Sequence, residues 1–137
     1  MINASAQQLV QRRSLAPMLV DSIRWRTIRD ARLASLQEGG LLRVMLGKQP
    51  ILFVRHEGTL RAMQDRCPHQ GRSLSGGWLD KGHVVCPFHR FHFDPITGAC
   101  RGGLTVNVET FPVHEENGVI KLGKPYTTLR IFGFDLW

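Results

Sequence analysis

The sequence has no long hydrophobic run and no dense block of basic residues. Its longest uncharged apolar stretch in the body of the chain, Ile51 to Val54, has four residues, whereas a membrane-spanning helix needs about 20. The fourteen arginines are dispersed along the chain. They are not interleaved with the aromatic residues that stack on nucleic-acid bases. We therefore predict a soluble protein that binds neither a membrane nor nucleic acid.

Cysteine is also scarce, and the sequence shows no secretory signal. Three cysteines are too few for a disulfide framework, and two of them, Cys67 and Cys86, stand beside histidines. We expect the third, Cys100, to be a small buried apolar residue rather than a reactive thiol. These features predict a cytoplasmic protein.

Acidic residues are outnumbered. Eleven carboxylates against eighteen lysines and arginines give a formal net charge of +7. A charged partner is therefore expected to be acidic.

Long helical patterns are missing, and turn signals are frequent. From Ile23 onward, short apolar or alternating runs end every eight to twelve residues in Gly, Asp, Asn or Pro, which is typical of an all-β domain. We predict one domain over residues 24–124, preceded by an N-terminal tail or short helix over residues 1–23 and followed by an apolar C-terminal tail over residues 125–137. The stretch DARLASLQEGG predicts a single helical turn. The candidate strands are residues 25–28, 41–46, 51–55, 59–64, 83–86, 91–93, 106–111 and 119–122.

The chemistry-bearing feature of the sequence is a paired arrangement of cysteine and histidine. Cys67 and His69 are spaced C-x-H, and after sixteen intervening residues Cys86 and His89 are spaced C-x-x-H. Each pair lies on a loop between predicted strands, so the two loops can face each other. Two thiolates and two imidazoles suit zinc, copper or an iron–sulfur cluster, and not magnesium or calcium. Zinc sites usually pair like ligands along the chain, whereas here each loop mixes the two types.

The segment CPHQGRSLSGGWLDKGHVVCPFHRFHFDPITG resembles the cluster-binding region of Rieske [2Fe-2S] proteins. The likeness covers about residues 25–123 and includes the run-in GTLRAMQDRCPHQG and the return FPVHEENGVIKL. It implies the Rieske iron–sulfur fold, a small antiparallel β-sandwich or barrel with a cluster-binding subdomain of two loops. It assigns Cys67 and Cys86 to the inner iron, and His69 and His89 to the outer iron. We expect the histidines to be exposed and the cysteines to lie deeper.

Several features of high-potential Rieske proteins are missing. In those proteins a serine and a tyrosine after the last ligand donate hydrogen bonds to the cluster, and an extra cysteine pair joins the loops. This sequence has Phe91 and Phe93 at the hydroxyl positions and Arg72 where the first extra cysteine would stand. The resemblance thus implies a low reduction potential, near about −150 mV. Arg90 departs from the glycine that usually follows the last ligand, and it places a cation beside the outer iron.

The chain also lacks the residues of a complete oxygenase, which needs a mononuclear iron held by two histidines and a carboxylate. Only His114 follows the cluster segment. The resemblance implies one-electron transfer through a Rieske cluster, as a soluble ferredoxin-like carrier between a reductase and an oxygenase. One alternative is a small electron-entry subunit of a larger oxidoreductase complex, and another is a zinc-structural or redox-sensing module. Whether the chain is part of an enzyme stays open.

Two further features predict contacts with other molecules. Four arginines lie in or beside the ligand loops, which predicts a basic electron-exit face that docks on an acidic partner surface; they are Arg66, Arg72, Arg90 and Arg101. The alternative is that they are solvated or paired with nearby acids, namely Asp65, Asp80 and Asp94. The tail PYTTLRIFGFDLW is strongly apolar. We predict that it packs on the domain or forms a homo-oligomer contact.

Overall fold

The computed structural model describes residues 18–103, 105–131 and 134–135. These residues form mostly antiparallel β-sheets with little helix, which confirms the predicted all-β class. The strands are β1 (Met18–Ile28), β2 (Leu41–Leu46), β3 (Gln49–His56), β4 (Thr59–Gln64), β5 (Trp78–Asp80), β6 (His83–Val85), β7 (His92–Phe93), β8 (Thr110–Phe111), β9 (Val113–Glu116), β10 (Val119–Ile131) and β11 (Phe134–Asp135). The helical segments are α1 (Ala31–Ala34) and a short 3-10 segment (Arg101–Gly103).

The strands form three sheets. The first has the order β1-β10-β11 with β9 also paired to β10, the second has the order β2-β3-β4-β8, and the third has the order β5-β6-β7. The chain divides into two compact units, one made of the segments up to Arg24 and from Pro125, and the other of residues Trp25–Lys124. The second unit, called the β-domain below, contains all four candidate ligands. No helix in the described part of the chain is long and apolar enough to cross a bilayer.

Strand β3 is central to the β-domain because both of its faces are buried. Successive side chains of a strand point to opposite faces. Ile51 and Phe53 enter one hydrophobic cluster, called the first core, which also contains Ile28, Leu33, Val44, Leu60, Ala62, Phe111, Ile120 and Leu122. Leu52 and Val54 enter the other, called the second core, which also contains Met63, Cys67, Leu74, Val84, Cys86, Phe93, Cys100 and Val108. Burial on both sides explains why this run is continuously apolar rather than alternating.

One buried arginine ties the helical turn to the sheets. The predicted turn is confirmed as α1, and the side chain of Asp30 caps it by accepting a hydrogen bond from the backbone N–H of Arg32 at 3.0 Å. Arg55 on β3 donates to the carbonyl of Leu33 at 3.1 Å and pairs with the carboxylate of Glu115 at 2.6 Å. The buried guanidinium is therefore neutralised, and its pairing with Glu115 raises its pKa above the ordinary value.

Some strand predictions differ from the structure. Strands β2 and β4 have the predicted bounds, but the segment 106–109 is not a strand. There the backbone N–H of Val108 donates to the carbonyl of Gly98 at 2.9 Å, outside any sheet. Strands β5 and β9 have no counterpart among the predicted strands. They are only three and four residues long, and β9 includes Glu115 and Glu116, a residue type that disfavours strands.

The two terminal segments also differ from the prediction. Residues 18–23 of the predicted N-terminal tail or short helix are not helical but belong to strand β1, and residues 1–17 lie outside the described residues. Strand β10 continues through residues 125–131, within the predicted C-terminal tail. The hydroxyl of Thr127 donates to the carboxylate of Asp21 at 2.7 Å. The partner of each segment lies at the opposite end of the chain, which short-range sequence patterns do not show.

Candidate metal centre

Two loops with the same backbone pattern carry the four candidate ligands. We call residues 67–72 loop 1 and residues 86–91 loop 2. In loop 1 the carbonyl of Cys67 accepts a hydrogen bond from Gly71 N–H at 2.7 Å, and Cys67 N–H donates to Arg72 at 2.6 Å. In loop 2 the carbonyl of Cys86 accepts from Arg90 N–H at 2.9 Å, and Cys86 N–H donates to the carbonyl of Phe91 at 2.9 Å. Each cysteine therefore anchors its own loop at both ends.

The two cysteine thiols lie together at the bottom of the site. Both residues are almost fully buried, Cys67 with 2% and Cys86 with 1% of its surface exposed. Both cysteines belong to the second core. Burial raises the pKa of the Cys67 thiol above its ordinary value, and Cys86 adds to the increase. The backbone N–H groups of His69 and Gln70 donate to the Cys67 sulfur, which partly offsets the rise.

The two histidines lie together at the surface. The rings of His69 and His89 are 4.6 Å apart between centroids and nearly perpendicular, and both residues are exposed. The structure thus confirms the expectation that the histidines are exposed and the cysteines lie deeper. Phe91 packs against His69 at 4.8 Å between centroids and is half-buried. It supplies an apolar wall where a hydroxyl donor would raise the potential.

A cation–π contact joins the two loops from the outside. The guanidinium carbon of Arg72, at the end of loop 1, lies 4.3 Å from the ring centroid of Phe88 in loop 2. Phe88 is 49% exposed, so the contact covers only part of its ring. Such a contact contributes about 0.5–1 kcal/mol at an exposed site.

Asp65 organises the segment between the loops, a role that the sequence analysis missed. Its side chain is fully buried and pairs with Arg43 Nε at 3.4 Å. It accepts hydrogen bonds from the backbone N–H groups of Leu74 at 2.7 Å and Ser75 at 2.9 Å. The hydroxyl of Ser73 donates to it at 2.6 Å. An aspartate two residues before the first cysteine is the only sequence signal, and it does not reveal these partners.

Gly77 is required by close backbone contact. A β-carbon at this position would lie 1.8 Å from the carbonyl oxygen of Val85, whereas one on neighbouring Gly76 would lie an ordinary 3.8 Å from Pro87. Val85 immediately precedes Cys86. The absence of a side chain at Gly77 therefore lets the chain between the loops pack against the base of loop 2.

The remaining histidines and Cys100 lie apart from this constellation. His114 is exposed and hydrogen-bonded to Glu116, and His56 lies near Glu38 and Glu57. His83 lies on strand β6 and His92 on strand β7, and the centroids of their rings are 6.5 Å apart. Cys100 is 7% exposed in the second core, which confirms the predicted buried apolar role.

The donor set fits a cluster with two irons. The two cysteines are buried and the two imidazoles are exposed beside each other, so the candidate ligands form two pairs at different depths. A Rieske [2Fe-2S] cluster has this division, with two cysteines on one iron and two histidines on the other.

Comparison with known proteins identifies a family that matches this chain and several similar proteins. The profile of the Rieske [2Fe-2S] domain matches residues 26–112. The ferredoxin component of the naphthalene 1,2-dioxygenase system of Pseudomonas putida is 31% identical over 97 residues, covering 70% of this chain and 91% of the relative. The 4beta-methylsterol monooxygenase of Methylococcus capsulatus is 32% identical over 133 residues, covering 88% of this chain but 35% of the relative.

A solved structure that contains a ferredoxin is also similar to this chain. One chain in the complex of reduced oxygenase and oxidized ferredoxin in carbazole 1,9a-dioxygenase has a TM-score of 0.61 and 33% identity to this chain. The match covers 66% of this chain and 95% of that one.

Proposed function

This chain belongs to the Rieske [2Fe-2S] family, and from this membership we propose that it is a one-electron carrier of the ferredoxin type in an oxygenase system. A Rieske-type cluster, when bound, supplies the one-electron redox chemistry. The observation that carries the proposal is the constellation of two buried thiols beneath two exposed, adjacent imidazoles. The relatives of this chain include the ferredoxin component of a naphthalene dioxygenase system.

We assign the four ligands by depth. Cys67 and Cys86 would hold the inner iron, because both are buried in the second core. His69 and His89 would hold the outer iron at the surface, where a redox partner approaches within a short distance. The apolar side chain of Phe91 excludes water from one side of His69 and donates no hydrogen bond. This environment supports a low potential, near about −150 mV.

The partner is proposed to dock through an acidic surface. Each of the four arginines near the loops is exposed, and none forms an ion pair within the described residues; they are Arg66, Arg72, Arg90 and Arg101. Asp65 pairs with Arg43 instead, which argues against internal neutralisation of the face. Complementary charge mainly accelerates encounter between transient partners. We expect electron transfer to a protein partner to slow as the ionic strength rises from about 20 to 500 mM, and Arg72→Glu to slow it further at low salt.

A second candidate is an electron-entry subunit or segment of a larger oxygenase. The alignment with the 4beta-methylsterol monooxygenase, which covers 88% of this chain, favours it. A free carrier purifies alone, whereas a subunit needs its partner. Size-exclusion chromatography and a pull-down with the cluster intact distinguish the two.

The unit made of the segments up to Arg24 and from Pro125 is proposed to mediate self-association. Leu19 and Ile23 on strand β1 are 73% and 49% exposed, and apolar surface of this kind favours a protein contact. Truncation after Lys124 should change the elution volume to that of a smaller oligomer. An unchanged oligomeric state would exclude this contact.

We place the protein in the cytoplasm as part of the proposal, because cytosolic reductants keep cluster-binding thiols available.

The ligand assignment is tested with two histidine variants. His69→Ala should remove the visible absorption and the EPR signal of the reduced protein, because one iron loses a ligand. His83→Ala is the matched control, since His83 lies on strand β6 outside both loops, and it should retain both signals. A normal Rieske spectrum in His69→Ala would refute the assignment.

A further inference from the structure

The two ligand loops have the same backbone but different residues at one strained position. Gly71 and Arg90 each lie four residues after the cysteine of their loop, and each donates its backbone N–H to that cysteine's carbonyl. Both have a left-handed backbone, with φ of 70° at Gly71 and 56° at Arg90. Glycine adopts this conformation without steric cost, whereas a β-carbon is disfavoured there.

Arg90 differs from the other non-glycine residues with positive φ in the described part of the chain. Glu57, Lys81 and Asn117 each precede a glycine that also has positive φ. They lie in the tight connections β3–β4, β5–β6 and β9–β10, where such turns require two successive left-handed residues. Arg90 lies in a ligand loop and is followed by Phe91. The chain therefore keeps a bulky, charged residue at a position where loop 1 has glycine.

The side chain of Arg90 gives no structural compensation for this strain. It is exposed, and within the described residues it forms no side-chain hydrogen bond, ion pair or ring contact. Arg90 also directly follows His89 in the sequence, and His89 carries one of the two exposed imidazoles. Strained backbone conformations cluster at functional sites, where the strain is part of the mechanism.

We propose that Arg90 is a specificity-determining docking residue that attracts the acidic patch of the redox partner to the outer histidine, at the cost of strain in loop 2. The inference rests on the proposed electron-transfer function and adds to it a particular residue. Arg72 has a second role, because its guanidinium is held on Phe88. Arg90 is free of such contacts and is therefore available to a partner.

The strain is tested by comparing two substitutions. Arg90→Ala removes the charge and keeps the β-carbon, whereas Arg90→Gly removes both. The glycine variant should therefore have the higher apparent melting temperature, by roughly 2–6 °C at a fixed scan rate, and the alanine variant should resemble the natural protein. Equal melting temperatures for the two variants would show that position 90 is not strained.

The charge is tested with small oxidants, because the natural partner is unidentified. Ferricyanide, a trianion, takes one electron from the reduced protein and becomes ferrocyanide. At about 20 mM ionic strength, Arg90→Ala and Arg90→Gly should both slow this reaction by about threefold to tenfold, and Arg90→Lys should retain the rate. Lys121→Ala removes one positive charge from strand β10, outside both loops, and should leave the rate unchanged.

A cationic oxidant separates charge from driving force. Hexaamminecobalt(III) also accepts one electron, and its reaction should become faster in both Arg90 variants, since a repelling charge is removed. A change in reduction potential would instead move the rates with both oxidants in the same direction. If both oxidants react with the Arg90 variants as with the natural protein, Arg90 has no docking role, although electron transfer itself stands. If neither oxidant removes an electron from the reduced natural protein, the proposed function fails.

Discussion

The two faces of strand β3 support different kinds of structure. On one face, Ile51 and Phe53 belong to a first core made only of aliphatic and aromatic side chains. On the other face, Leu52 and Val54 belong to a second core that also contains all three cysteines of the chain. The first core is formed by the burial of apolar side chains, beside the ion pair of Arg55 and Glu115. The second core is the floor of the metal centre, and it depends on specific backbone contacts as well.

This difference predicts where the molecule tolerates substitution. A hydrophobic core accepts many residues of suitable size, because burial is not directional. The segment over the second core instead depends on a glycine that packs on a carbonyl and on a buried carboxylate with several donors. Hydrogen bonds and close backbone contacts have strict geometry. Substitutions there should affect the metal centre more than their change in volume indicates.

The largest effect is expected for Gly77→Ala. The new β-carbon would lie 1.8 Å from the carbonyl oxygen of Val85, so the chain before loop 2 must move. We expect loss of the cluster, or a destabilisation above about 4 kcal/mol, measured by absorbance and by chemical denaturation. Gly76→Ala is the matched control and should retain its cluster, because its β-carbon makes an ordinary contact at 3.8 Å. Similar behaviour of the two variants would contradict the packing argument.

The comparison of the two faces is tested most directly by Ile51→Ala and Leu52→Ala. Both residues are fully buried neighbours on β3, so each variant should lose about 2–5 kcal/mol of unfolding free energy. Only Leu52→Ala opens a cavity in the second core, and only this variant should release iron faster to a chelator. Equal rates of iron release at equal stability would show that the two cores are not functionally distinct.

A smaller loss is expected for Asp65→Asn. The substitution removes a buried charge that accepts three hydrogen bonds and pairs with Arg43. The expected cost is about 1–3 kcal/mol, with faster cluster loss because the segment between the loops is less fixed. Asp80→Asn is the control, since the side chain of Asp80 has no hydrogen bond or ion pair within the described residues. The proposed role of Asp65 fails if the two variants lose the cluster at the same rate.

The smallest effect is expected for the contact between Arg72 and Phe88. A double-mutant cycle with Arg72→Gln and Phe88→Leu should give a coupling free energy of about 0.5–1 kcal/mol. The measurement is chemical denaturation of the four proteins with the cluster bound. Additive effects would mean that the two loops are held together without this contact.

The sequence predicts four candidate ligands, because residue type and spacing carry their chemistry: Cys67, His69, Cys86 and His89. The ligand assignment stays a prediction, whereas the expected depths of the two pairs are confirmed. Local patterns likewise predict strands β2 and β4 and the turn α1, whose residues pair or cap close by along the chain. These features depend on short-range interactions.

Other features depend on contacts between distant segments. The role of Asp65 arises only when Arg43 and the backbone near Leu74 surround its carboxylate. Strand β1 extends to Met18 because β10 pairs with it from the other end of the chain. The strain at Arg90 becomes evident only when the backbone of loop 2 is compared with that of loop 1. Propensity and periodicity describe none of these long-range relations.

Pulsed EPR of the reduced protein with ¹⁵N-labelled histidine tests the central claim most directly. If His69 and His89 bind one iron and Cys67 and Cys86 bind the other, the spectrum contains two strongly coupled histidine nitrogens. Labelling should replace each ¹⁴N coupling by the corresponding ¹⁵N coupling. His92→Gln, which alters a histidine outside the proposed ligand set, should leave both couplings in place. A reduced cluster without coupled histidine nitrogen, or a chain that binds zinc and gives no signal, would contradict the account.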